Sequence, residues 1–227
     1  MCKDTDFIEP YNGRIGDVLV LTKPLGTQIA VNVHEWRMTD DRKYSILKRN
    51  NVITDELEKV SFNVASGSMV RLNRTAAMLM HKYGAHGATD ITGFGPKGHI
   101  ENLALNQTAM LTEGEKFEFY VDTMPVICGM AKVAAFLKTK KILDFKLIDG
   151  FSAETSGGLL VMLPRESADA FIADIERIDG WPAFKVGVIR GKEGYDYNAE
   201  NELVVFENEE NMQIKEVGGG MTGNAKL

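Results

Sequence analysis

The order in which helical and strand patterns follow one another constrains this chain more than any single motif. A short, nearly continuous apolar run, Val18 to Leu21, reads as a buried strand that Pro24 and Gly26 bring to an end. Several helix-like segments then follow in succession before the next strand pattern, which ends at Ala88–Ile91. Later strand patterns at 116–122, Leu159–Leu163, "AFKVGVIRG" and "NELVVFE" are separated by helices in some places and by loops in others. Strict strand–helix–strand alternation is absent. The expected fold is therefore α+β, with a mixed or mostly antiparallel sheet packed with helices.

The helical segments carry their own signals. Thr27 is placed as the cap of a helix bearing Ile29, Ala30, Val33 and Trp36. A polar helix is expected over 41–48, and Thr54-Asp55-Glu56 starts another, with acids favoured by the helix dipole. Leu72, Ala76, Leu79 and Tyr83 share a helical stripe expected to face the core. Gly84 is expected to cap that helix, and Gly67 to lie near a break before it. "PVICGMAKVAAFLK" reads as a further helix. Pro164 starts another, with Ala168, Phe171, Ile172 and Ile175 on one face. In "AFKVGVIRG", Phe184, Val186 and Val188 are expected on one side of a strand. "NELVVFE" is offered Met212–Glu216 as a pairing partner.

Composition narrows the function classes. With 44% hydrophobic residues in 227, the chain has enough apolar material for a sizeable core. A net charge of −6 argues against a nucleic-acid surface but leaves room for a nucleotide, which needs only one local cluster or one metal ion. The two cysteines, Cys2 and Cys128, form no CxxC pair, so a reducing, cytoplasmic setting is the expectation. No run of about 18 apolar residues suggests a membrane span, and "MCKDTDFIEPYNGR" has no apolar signal-peptide core.

Three loops carry candidate chemistry. In "GATDITGFGPKGH", Asp90 ends a strand pattern, Gly93 and Gly95 make a turn, and Pro96 suits a first helical turn. A carboxylate there can hold Mg²⁺ shared with phosphates, or it can simply cap the turn. Thr89 and Thr92 can add hydrogen bonds. In "ETSGGLL", Thr155, Ser156, Gly157 and Gly158 offer hydroxyls and backbone amides for an anion-binding nest. The alternative is a tight turn in which glycine serves only positive φ. In "LTKPLGT", Lys23 either meets a phosphate or is solvated. His34, His81, His86 and His99 show no zinc-ligand spacing. His99, one turn into a helix, either contacts a ligand or lies on the helix surface.

Taken together and in this order, "GDVLVLTKPLGTQ", "RLNRTAAMLMH", "ATDITGFGPKGH" and "ETSGGLLVMLPRE" resemble the C-terminal domain of the selenophosphate synthetase (selenide, water dikinase) family. The resemblance implies an aminoimidazole ribonucleotide synthetase C-terminal-domain-like fold. It implies a reaction that makes selenophosphate from selenide and ATP, releasing AMP and phosphate, with Mg²⁺ as cofactor. It makes Asp90 a Mg²⁺ ligand and places Thr155, Ser156, Gly157 and Gly158 near the bound nucleotide. Lys23 and Gly26 fall in a strand-exit loop of the family.

The resemblance also implies what lies elsewhere. A family member has a domain before Gly16 that carries the reactive cysteine or selenocysteine, its partner lysine, more Mg²⁺-binding aspartates and a glycine-rich ATP segment. Residues 1–15 then read as the remnant or linker of that domain, 16–216 as the C-terminal domain, and 217–227 as a mobile tail. Cys2, just before the first strand, sits where that domain would end and is not taken as the nucleophile, so no catalytic residue is assigned. One local departure is Pro96-Lys97, where the family carries two apolar residues. The expectations are an intact enzyme that dimerises, and an isolated chain that is monomeric and does not turn over. Two alternatives stand beside this: a non-catalytic interaction or regulatory module, and another ATP-dependent member of the same fold.

Overall fold

A computed structural model describes residues 7–107, 117–191, 203–208 and 210–218. Cys2 and most of the expected tail lie outside them. In chain order the elements are β1 (Val18–Leu21), α1 (Thr27–Met38), α2 (Arg42–Arg49), α3 (Asp55–Val70), α4 (Arg74–Lys82), β2 (Gly87–Asp90) and α5 (Gly95–Gln107). They continue with β3 (Phe117–Val121), β4 (Thr123–Ile127), α6 (Met130–Thr139), β5 (Leu159–Leu163), α7 (Arg165–Asp179), β6 (Phe184–Gly191), β7 (Val204–Phe206) and β8 (Gln213–Val217).

Six strands form one sheet in the order β2-β5-β1-β6-β3-β7, and β4 and β8 form a second, two-stranded sheet. Pairings in the large sheet are antiparallel except β3 with β7, and β4 pairs with β8 in parallel. The fold is thus the expected mixed α+β arrangement.

β1 shows why its sequence is a continuous apolar run. Leu19 and Leu21 point to one face, where they join Ile29 and Val33 of α1, Ile100 and Leu103 of α5, and Met130 and Leu137 of α6. Val18 and Val20 point to the other, against Ala76 and Leu79 of α4 and Phe171 and Ile175 of α7. Helices cover both faces at the sheet centre, so no polar alternation survives there. Each fully buried side chain of this size contributes roughly 1.5–3 kcal/mol.

Several local expectations are met. The polar helix α2 forms one residue later than expected, with Asp41 as its side-chain cap, Thr54 caps the start of α3, Gly84 takes a left-handed φ after α4, and Leu159–Leu163 forms a strand. Others are corrected. Thr27 does not cap α1: it is the first helical residue, and Gly26 holds the cap position without a side-chain bond. Helices α3 and α4 separate at Arg71–Asn73 rather than at Gly67, which lies within α3 beneath the Trp181 ring. Leu72 falls in that break and is 74% exposed, so it leaves the expected core stripe.

The segment 125–127 is strand β4, and the helix begins only at Met130, after Gly129 with φ 75°. Val188 leaves the face of Val186 because a register shift opposite Leu19 and Val20 inserts one residue into β6. Strand β7 pairs with β3, not with the Met212–Glu216 run, which instead supplies β8.

The topology gathers three loops at one sheet edge. Leu21, the end of β1, is opposite Leu160, and Asp90, the end of β2, is opposite Leu159. The loops 22–26, 91–95 and 154–158 therefore leave the sheet side by side.

Candidate functional site: three loops at one sheet edge

Asp90 is exposed, and among the described residues nothing donates a hydrogen bond to its carboxylate. Capping the turn is therefore not its role. Other groups perform that work: the Gly95 amide donates to the Thr92 carbonyl at 3.1 Å, and His99 anchors Thr92. The Nε2 of His99 accepts the Thr92 amide at 3.0 Å and lies 3.1 Å from the Thr92 hydroxyl. An Nε2 that accepts a backbone N–H is unprotonated, so the ring's proton sits on Nδ1. Burial lowers the His99 pKa, and the Asp90 charge opposes that shift. His99 is thus a buried brace of the loop and not a helix-surface residue.

The loop before β5 is held quite differently. Its last three carbonyls are engaged from behind. Lys23 Nζ donates to Ser156 O at 2.8 Å, Asn73 Nδ2 to Gly157 O at 2.9 Å, and the Ile91 amide to Gly158 O at 2.9 Å. By contrast, the amides of Ser156, Gly157 and Gly158 meet no protein acceptor among the described residues. Ser156 takes a left-handed φ of 48°. Successive amides around a left-handed residue are the geometry of a nest, which favours an anion.

Gly157 and Gly158 are required by close approach, not by positive φ. A Cβ on Gly157 would lie 1.9 Å from Ile91 O, and one on Gly158 would lie 2.6 Å from the Lys23 amide. The loop can therefore rest directly against the strand ends on both sides.

Lys23 is neither solvated nor open to a ligand. It is 2% exposed and donates to Arg71 O at 2.6 Å as well as to Ser156 O. Burial, with the Arg71 charge beside it, lowers its pKa to about 8, and Asp179 pulls the other way. Arg71 reaches Thr22 O through Nη2, stands 3.7 Å from Asp179 and packs over Trp181.

Glu154 is a residue that sequence reasoning missed. It is 5% exposed, and its carboxylate accepts the Gly26 amide at 2.6 Å, the Thr27 amide at 2.9 Å and the Thr27 hydroxyl. Burial pushes its carboxyl up to about 7, against the downward pull of those three donors. The available signal was a helix start, Gly26-Thr27, with no acidic residue in its first turn to meet its free amides.

The other histidines lie off this edge. His34 Nδ1 pairs with Glu58 at 2.6 Å, His86 Nδ1 pairs with Asp17 at 2.8 Å, and His81 is exposed on α4. No cluster of three or more His, Cys, Asp or Glu residues able to hold a metal occurs among the described residues. No described helix is long and apolar enough to cross a membrane.

The fold and this edge define a class. Residues 14–198 match the model of AIR synthase related protein, C-terminal domain, and the chain belongs to that family. Within it, the chain is homologous to the selenide, water dikinases. It is 45% identical over 216 residues to Selenide, water dikinase of Dictyostelium discoideum, covering 94% of this chain and 55% of that protein. It is 43% identical over 192 residues to Selenide, water dikinase 2 of Homo sapiens, covering 83% and 40%. The chain thus spans about half, or less, of the length of these relatives. Among solved structures, Hydrogenase Maturation Protein HypE in complex with ATP superposes with a TM-score of 0.56 at 19% identity, over 93% of this chain and 54% of that one. This likeness establishes the fold.

Proposed function

We propose that this chain is the C-terminal domain of a selenophosphate synthetase, an enzyme that makes selenophosphate from selenide and ATP with release of AMP and phosphate. The observation that carries this reading is one juxtaposition. Asp90, a carboxylate with no hydrogen-bond donor among the described residues, ends a strand beside a loop whose amides at 156–158 have no acceptor among them. The relatives' names, selenide, water dikinases, support the same assignment.

The donor set fits a Mg²⁺ shared with phosphates. This ion takes few protein carboxylates and fills its remaining positions with water and phosphate oxygens. Asp90 would hold it, and when bound it would neutralise charge on the phosphates. The chain's own residues do the rest. The 156–158 amides would donate to anionic oxygens, while Lys23, Asn73 and Ile91 keep the loop's carbonyls turned away from the ligand. Gly157 lets the loop lie against Ile91, next to Asp90.

One carboxylate is a small share of a Mg²⁺ site, so the isolated chain would bind Mg-ATP weakly and release no AMP. Titration with Mg-ATP, followed by amide chemical shifts, tests this. Shifts at 90–95 and 155–158 in the wild type and none in Asp90→Ala are expected. AMP release by this chain with selenide and ATP would overturn the assignment of inactivity. The isolated chain is also proposed to be a monomer, and a well-defined dimer by light scattering would refute that.

A further inference from the structure

The loops 22–27 and 154–159 are laced together along their length. The Thr22 amide donates to Leu159 O at 3.0 Å, and the Leu159 amide to Thr22 Oγ1 at 2.8 Å. Lys23 Nζ reaches Ser156 O, and the Thr155 amide donates to Thr27 Oγ1 at 3.1 Å. Glu154 closes the far end by accepting from Gly26 and twice from Thr27. Its own amide donates to Thr92 O at 3.0 Å, so the same residue also grips the loop that follows Asp90.

We infer that Glu154 is the positioning residue of this edge: it hooks the 155–158 amides to the start of α1 and fixes their place relative to Asp90. The inference rests on the nucleotide-site reading for its ligand but not for its geometry. Three features support it. Glu154 is the residue whose main chain and side chain tie all three loops to one another. The start of α1 has no acidic residue of its own, so Glu154 fills what would otherwise be an open anion position with a tethered carboxylate. Finally, Thr27 Oγ1 passes the connection on, donating to Glu154 and accepting from Thr155, so that loss of the carboxylate loosens the residue that leads into the 156–158 amides.

Glu154 touches no bound phosphate in this reading; it acts through the loop. Misplacing a binding group by about 1 Å can cost up to about a hundredfold, so a loss of about tenfold or more in Mg-ATP affinity is expected for Glu154→Ala.

The test compares wild type, Glu154→Ala, the milder Thr27→Val, and Phe171→Leu, a core variant on the opposite face of the sheet that serves as the stability control. All are measured well below their melting temperatures. Amide spectra without ligand should show the 155–158 resonances displaced in Glu154→Ala and, less so, in Thr27→Val, with those of Phe171→Leu at wild-type positions. Mg-ATP affinity should fall in the same order. Unmoved 155–158 resonances in Glu154→Ala overturn the inference whether or not nucleotide binds. Equal loss of affinity in Phe171→Leu overturns it too, because stability alone would then explain the effect. If the wild type binds no Mg-ATP, the reading of the site fails, and the ligand-free spectra still decide the role of Glu154.

Discussion

Two loops leave the same sheet edge and are built in opposite ways. The one after β2 presents a carboxylate that no described residue holds, with His99 steadying the turn two residues on. The one before β5 has its 156–158 carbonyls bound, and the buried side chains of Lys23 and Glu154 secure it. The difference separates two jobs. A group meant for a ligand is left without protein partners, whereas the scaffold that aims such groups is saturated with them. Substitutions in the laced loop should therefore cost stability, and removal of the Asp90 carboxylate should cost binding alone.

The largest effect should come from Gly157→Ala, whose Cβ would overlap the Ile91 carbonyl oxygen. Neither backbone can yield without breaking the β2–β5 edge, so a loss above about 4 kcal/mol is expected in urea unfolding. A loss under about 1 kcal/mol would show that the laced loop has slack.

Next comes pH. In the fold the Glu154 carboxyl is raised from 4.5 to about 7, so the folded state keeps a proton that the unfolded chain releases. Stability from this group is fully present below 4.5 and falls as pH rises to 7, by on the order of 3 kcal/mol. The stability of wild type relative to Glu154→Gln should fall by that amount over the window. A flat difference would mean that the three donors hold the carboxylate ionised throughout.

Lys23→Met should cost about 1–3 kcal/mol, because two buried carbonyls, Arg71 O and Ser156 O, lose their donor while a charge repelled by Arg71 is removed. The smallest stability effect belongs to Asp90→Ala, within about 0.5 kcal/mol, since the carboxylate has no partner to lose. Yet this variant should abolish the Mg-ATP response. A large drop in melting temperature would erase the contrast between the loops.

Much of the fold was legible because it is local. The two strands buried on both faces read as apolar runs, and Thr54-Asp55-Glu56 announced the start of α3. Misses came where distant residues decide. Residues 125–127 run on in apolar character into α6, and partners far off in the chain, β8 on one side and Leu25 on the other, make them a strand. Val188 changes face because of a one-residue insertion that side-chain alternation cannot register. At the candidate site, Asp90 and the 155–158 loop stand out in the sequence by residue types beside glycines, and the fold sets the two loops side by side. The buried places of Lys23 and Glu154 do not: a charged residue in a loop reads as solvated until partners such as Ser156 and Gly26, more than a hundred residues away in sequence, are brought to it.

The parallel pairing of Thr123–Ile127 with Gln213–Val217 has a kinetic consequence. During synthesis the earlier strand emerges well before its partner exists, and its amides and carbonyls on that side must wait. Closure of so long a loop is slow relative to the hairpin-like contacts around it. The small sheet should therefore be among the last parts of the domain to form, and its rate of formation should set how long Val126 and Ile127, fully buried at the end, remain open to wrong partners.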